Sequence, residues 1–279
     1  MTSAHRGGGT GVRGTTTDRH DERGGAVGLT AVLHGRRGPV ELVLVRHGQS
    51  AGNIADSQAR DADAERLELT ARDADVELSA NGEEQARTLG RWVADLPASE
   101  RPDLVVSSPY RRAADTARAA LEGLDLDLLL DERLRERDLG LLDGLTGKGI
   151  RARHPGEAER RSHVGKFYYQ PPSGESWADV VLRIRSLLGD LREAYDGKRV
   201  WLFTHQAVIM SFRYALEGLD EAELLEIDRT TPIPNASITR YCRRDGGLVL
   251  DTFADDSHLE PGPAARTAEE GRAEEAPDA

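Results

Sequence analysis

Short apolar runs that stop abruptly on charged or imidazole-bearing residues govern what this chain can fold into. Val40-Glu41-Leu42-Val43-Leu44-Val45 ends in Arg46-His47-Gly48, and Leu104-Val105-Val106 ends in Ser107-Ser108-Pro109-Tyr110-Arg111-Arg112. Val200-Trp201-Leu202-Phe203 ends in Thr204-His205-Gln206. Each run has the length of a strand, and a nearly unbroken apolar run suits a strand covered on both faces. An alternating stretch at Leu126, Leu128 and Leu130 reads as a further strand. Between the strands lie helical patterns. Ser79 suits the N-cap of a helix over 80–95, Pro109 suits the first turn of one over 109–122, and a third follows His205. In 176–195, Val180, Val181, Ile184, Leu187, Leu188 and Leu191 share one face. This alternation predicts an α/β fold of three layers, α/β/α, around a mainly parallel sheet. The last pair, Ala236–Tyr241 and Leu248–Phe253, is joined by Arg243-Arg244-Asp245-Gly246-Gly247 and predicts a C-terminal antiparallel hairpin.

The two ends of the chain differ from its middle. Residues 1–38 are polar and glycine-rich, and residues 255–279 are acidic and rich in Ala and Pro. Both compositions predict disordered tails, which bury too little apolar surface to offset their ordering entropy. The remainder, 39–254, is roughly the size of one domain. A formal net charge of −12 argues against nucleic acid or an anionic membrane as partner. Any anion-binding site must therefore be a local basic focus within a repelling field. With no long apolar run and no signal-type segment, the expectation is a cytoplasmic protein. The single cysteine, Cys242, excludes an intramolecular disulfide and reads as a half-buried strand residue.

In a parallel sheet, loops at the carboxyl ends of the strands converge on one rim, where ligands bind. All three polar motifs follow strands at that end, so two histidines and two or three arginines meet at one edge. Arginine offers a planar fork of donors to phosphate, imidazole offers a nucleophilic nitrogen, and Gly48 removes a side chain where backbone must approach a ligand. Arg111 reads as a solvent-facing neighbour of Arg112. His154, His163 and His258 stand outside any motif and read as surface residues. Tyr168 and Tyr169 either line a pocket or pack beneath a loop. The stretch from Gly144 to Gly149 superficially suggests a phosphate loop, but Leu142 and Gly149 stand where that motif needs Gly and Ser or Thr. The charged segment between Asn53 and Leu78 is either a flap over the pocket or a solvated insertion.

These motifs resemble those of the histidine phosphatase superfamily, branch 1, which is phosphoglycerate-mutase-like. Arg46-His47-Gly48-Gln49-Ser50-x-x-Asn53 resembles its signature. Leu78-Ser79-x-x-Gly82-x-x-Gln85-Ala86 and Ser107-Ser108-Pro109-x-x-Arg112-Ala113-x-x-Thr116-Ala117 follow in the family's order. Leu134-x-Glu136-Arg137-x-x-Gly140, with Asp143-Gly144-Leu145-Thr146, resembles the acid-donor segment; Gly174-Glu175-Ser176 and Thr204-His205 complete the series. The resemblance implies that His47 is the nucleophile and becomes phosphohistidine. It implies that Arg46, Arg112 and His205 hold the phosphoryl oxygens and that Glu136 protonates the leaving oxygen. Ser50, Asn53, Arg137 and Gln206 are candidate substrate-binding residues. No metal and no cofactor is expected, and the expected partner is a small phosphorylated metabolite.

Within the family, the stretch after the acid donor, His163 to Pro172, is shorter than the proline-rich segment of cofactor-dependent phosphoglycerate mutases, which favours a phosphatase. Gln206 is similar to its counterpart in fructose-2,6-bisphosphatase domains. Met210 and Gly147, however, stand where those domains carry an arginine and a tyrosine. The expectation is a phosphomonoesterase. The alternatives are a phosphoglycerate mutase and a non-catalytic phosphate- or phosphoprotein-binding module.

Overall fold

In the computed structural model, which describes residues 37–245, 247–260 and 263–268, alternate residues of the central strands enter two separate cores. In β1 (Glu41–Arg46), Leu42 and Leu44 join one core while Val43 and Val45 join the other. After β2 (Leu104–Ser107) and β3 (Leu128–Leu130), β4 (Arg199–Thr204) repeats the division, with Val200 and Leu202 on one side and Trp201 and Phe203 on the other. This period-2 split is the reason the strands are apolar on both faces. Each fully buried Leu contributes roughly 1.5–3 kcal/mol of transfer free energy. With β5 (Ile238–Arg244) and β6 (Gly247–Asp255), the sheet runs β3-β2-β4-β1-β5-β6. Strands β1 to β4 are parallel, whereas β5 pairs antiparallel with both β1 and β6. The expected three-layer fold and C-terminal hairpin are therefore present. At the hairpin turn, Asp245 takes a positive φ of 48°, as a two-residue turn between right-twisted strands requires.

The chain also forms α1 (Ala51–Asp61), α2 (Ala80–Asp95), α3 (Arg111–Ala120), α4 (Gly147–Arg153), α5 (Pro155–Val164), α6 (Trp177–Ala194), α7 (Gln206–Glu217) and α8 (Glu221–Thr230). Leu89 and Val93 of α2 and Ala117 and Ala120 of α3 fill the core on one face of the sheet. Ile184, Leu187 and Leu191 of α6 and Val208, Ile209 and Phe212 of α7 fill the other. Ser79 caps α2 by accepting from Gly82 N. Ser176 caps α6 in a reciprocal box with Asp179. Pro109 lies one residue outside α3, whose N-cap is Tyr110. Helices α4 and α5 had no clear periodic signal, and α5 buries none of its side chains. Thr146 caps α4 and donates to the Ala64 carbonyl 2.7 Å away, so the Gly144–Gly149 stretch is a helix start.

The C-terminal boundary differs from expectation. Residues 256–260 and 263–268 pack on the domain instead of beginning a tail at Asp255. Leu259 is buried, and His258 lies against Trp92 with ring centroids 5.6 Å apart. His258 is therefore not a surface residue: one apolar and one aromatic side chain within an acidic stretch suffice to dock it. His163 is exposed, and Cys242 is half-buried as expected. The predicted tails over 1–36 and 269–279 lie outside the described residues. Among the described residues no helix is long and apolar enough to cross a membrane.

Candidate active site

Strands β2, β4 and β1 are adjacent, with Ser107 opposite Phe203 and Arg46 opposite Thr204. Their carboxyl ends release the three motifs side by side. His47 N donates to Thr204 O (3.0 Å) and Ser108 N to Phe203 O (2.9 Å), so the loops begin in register. The two rings that result, His47 and His205, are buried with centroids 5.1 Å apart.

His47 Nδ1 lies 2.7 Å from its neighbour's carbonyl, Gly48 O. A carbonyl only accepts, so Nδ1 carries the proton and Nε2 keeps its lone pair. Burial lowers the imidazole pKa well below its usual value, and the Arg112 and Arg46 charges lower it further. Both effects favour the neutral ring. Gly48 is also required by packing. Its backbone abuts α2, where a Cβ would come 2.5 Å from Gly82 O, and a Cβ on Gly82 would meet Gln49 O at 1.9 Å. The two glycines let the loop and helix interlock, and Gly48 N donates to Thr116 Oγ1 at 2.9 Å.

Cations surround this imidazole. Arg46 is almost fully buried and donates to the Ile233 carbonyl. Arg112, second residue of α3, is buried and donates to Asp73 Oδ1 (2.9 Å) and to the Asp73 carbonyl (2.6 Å). His205 Nε2 pairs with Ser108 Oγ at 2.9 Å. Its Nδ1 is buried without a hydrogen-bond partner among the described residues. Burial, then the charge of Arg112, lowers its pKa as well. Neither α3 nor α7 has a side-chain cap, so two helix N-termini open at this rim and favour an anion there.

Glu136 follows a short turn, Glu132–Leu134, that Thr204 ties to β4 through its hydroxyl to Leu134 O (2.8 Å). Its Oε1 accepts from Arg137 N at 2.7 Å. Burial raises its pKa above the usual carboxyl value, and the nearby Asp73 charge adds to the rise against the opposing Arg112 charge. Arg112 is thus an electrostatic neighbour of His47, His205 and Glu136 alike. The acid segment is braced by Glu175, which accepts from Arg135 (2.6 Å), Arg183 (3.1 Å) and Asp138 N (3.1 Å).

Four of the sequence candidates face each other less directly. Ser50 and Asn53 form a reciprocal cap on α1, with Asn53 Oδ1 also receiving Asn235 Nδ2 at 3.2 Å. Arg137 donates to Glu175 O at 2.8 Å. Gln206 donates to Asp228 (3.4 Å), which also pairs with the largely buried Lys166. Arg111 pairs with Glu77 and Asp115 at the surface, as expected of a solvent-facing residue. Tyr169 is buried with its hydroxyl on Glu157, whereas Tyr168 is exposed. Four residues were missed. Ser108 and Gln85 stood within motifs that pointed to them. Asp73 and Asn235 carried no signal of their own.

A model of the histidine phosphatase superfamily (branch 1) matches residues 42–256, and the chain belongs to this family. A 2,3-bisphosphoglycerate-dependent phosphoglycerate mutase from Rhizobium etli is 32% identical over 200 residues, covering 69% of this chain and 88% of that protein. A mycobacterial glucosyl-3-phosphoglycerate phosphatase, solved with VO3, superposes with a TM-score of 0.61 at 30% identity, covering 77% of this chain and 98% of that one. A putative α-ribazole-5′-P phosphatase from Escherichia coli shares the fold, with a TM-score of 0.64 at 19% identity over 78% of this chain and 97% of that one.

Proposed function

We propose that this protein is a phosphatase that hydrolyses a phosphomonoester of a small metabolite through a phosphohistidine on His47, without a metal ion. The observation that carries the reading is the 2.7 Å contact between His47 Nδ1 and the Gly48 carbonyl, from which the tautomer follows. Nδ1–H is spent on the Gly48 carbonyl, so Nε2 presents a lone pair inside a ring of cations. Nε2 attacks phosphorus as the ester P–O bond breaks. Arg46 and Arg112 neutralise the phosphoryl oxygens, His205 donates a hydrogen bond to one of them, and Glu136 gives its proton to the departing oxygen. Water then attacks the phosphohistidine, Glu136 takes the water's proton, and inorganic phosphate and neutral His47 are regenerated.

A second reading, phosphoglycerate mutase, draws support from relatives such as the Rhizobium etli 2,3-bisphosphoglycerate-dependent phosphoglycerate mutase; in a mutase the phosphoryl group on the histidine would return to a phosphoglycerate instead of passing to water. Two assays separate them. A phosphatase hydrolyses p-nitrophenyl phosphate in EDTA across pH 5–8. A mutase interconverts 3- and 2-phosphoglycerate once primed with 2,3-bisphosphoglycerate. Interconversion much faster than phosphate release would replace the first reading with the second. No turnover of either kind by folded protein would favour the non-catalytic binding module.

A further inference from the structure

Segment 263–268 lies beyond the family-matched region, yet it meets the two side chains that hold the nucleophile loop. Gln85 and Asn235 are both fully buried. Gln85 Oε1 accepts from Gln49 N at 2.8 Å. Asn235 Nδ2 donates to His47 O at 3.2 Å. The loop backbone is therefore gripped on both sides of Gly48, once by an amide oxygen and once by an amide nitrogen. Each grip works in one orientation of its amide only, since a flipped Gln85 would set NH₂ against the Gln49 N–H, donor against donor.

A single hydroxyl links the two amides. Thr267 Oγ1 accepts from Gln85 Nε2 at 2.9 Å and donates to Asn235 Oδ1 at 3.0 Å. The main chain reinforces it: Asn235 N donates to Thr267 O (2.8 Å) and Gln85 Nε2 to Ala265 O (2.7 Å). Asn81 fixes Ala265 through both its N–H and its carbonyl, at 2.8 and 3.0 Å. Arg266 ties the segment back to Asp256 and Glu260. The hydroxyl of an irregular segment outside the sheet is thus bonded between two buried amides that hold the loop of His47.

We propose that Thr267 is a positioning residue for phosphoryl transfer, and that segment 263–268 is a clamp that sets His47 Nε2 in line with the substrate. It acts through Gln85 and Asn235 and touches no substrate, and the inference rests on His47 being the nucleophile. Losing one partner of a buried hydrogen-bonded pair translates into a rate loss of about tenfold.

Rapid-quench measurement of the phosphohistidine burst on the full-length protein gives two separate readouts. Burst amplitude counts competent sites, and the burst rate constant reports geometry at each site. Thr267→Val should lower the burst rate constant about tenfold with amplitude and KM nearly unchanged. Thr267→Ser, which keeps the hydroxyl, should restore it. Asn81→Ala, which loosens Ala265 from a half-buried position outside the site, should act in the same direction more weakly and serves if Thr267→Val does not fold. Deleting 269–279 should leave the rate constant unchanged. A fall in amplitude alone, or equal rate constants for Val and Ser, would overturn the proposal. A wild-type protein that turns over substrate but forms no phosphohistidine would remove the His47 reading itself and the clamp with it.

Discussion

The floor of the site and its rim are built from different materials. The floor, residues 46–53 with Gln85, Thr116 and Asn235, is held by buried, uncharged hydrogen bonds and by the Gly48–Gly82 interlock. The rim, formed by the segment around Asp73 and by residues 133–140, is held by ion pairs, among them Arg112–Asp73, Arg135–Glu175 and Arg133–Asp131. Neutral buried bonds set position independently of salt and pH, whereas partly exposed ion pairs are screened and contribute little to stability. Under the proposed mechanism, the contrast puts transfer chemistry on the floor and choice of substrate on the rim.

Changes in the floor should be the most damaging. His47→Ala should lower kcat by on the order of 10⁵ and abolish an acid-labile, base-stable phosphoenzyme. Persistent labelling would place the nucleophile elsewhere. Glu136 sits where floor meets rim, and its effect should depend on the leaving group. Glu136→Gln should cost about 10²- to 10⁴-fold with alkyl phosphates but far less with p-nitrophenyl phosphate, whose leaving group needs little protonation. Equal losses with both substrates would refute the acid role. The pH dependence has a definite sign. His47 must be neutral, and its depressed pKa places the acid limb below the usual imidazole range. Glu136 must be protonated, and its raised pKa extends activity upward before the alkaline limb begins. With p-nitrophenyl phosphate in rapid-quench measurements of phosphorylation, that alkaline limb should flatten.

The floor was legible because its chemistry stands at strand ends, where an apolar run gives way to a polar motif and the parallel fold fixes which ends converge. The interlock was half legible: Gly48 stood out, but its partner Gly82 is tied to it only by three-dimensional contact. The rim was not legible in the same way. Asp73 is one acid among many in a charged segment, and only the fold brings it onto Arg112. Windowed composition likewise hid His258, Leu259 and Thr267, because a docking segment needs a few well-placed side chains and not an apolar average.

Asp73 offers the mildest and most discriminating test of the comparison. Its carboxylate and carbonyl occupy donors of Arg112 that the proposed mechanism gives to the phosphoryl group, so under that mechanism substrate must share or displace them. The same charge helps to keep Glu136 protonated. Asp73→Asn should therefore do two things at once. It should tighten competitive inhibition by inorganic phosphate or vanadate by roughly 3- to 10-fold, the scale of one partly screened charge. It should also move the alkaline limb for alkyl phosphates toward lower pH, since ionised Glu136 no longer faces that negative neighbour. Phosphorylation of His47 at saturating substrate, well below that limb, should hardly change. If inhibitor affinity and the alkaline limb both stay in place, Asp73 is a bystander and the rim does not govern access to the floor. If the transfer rate constant collapses with them, Asp73 belongs to the floor, and the division between the two regions is drawn in the wrong place.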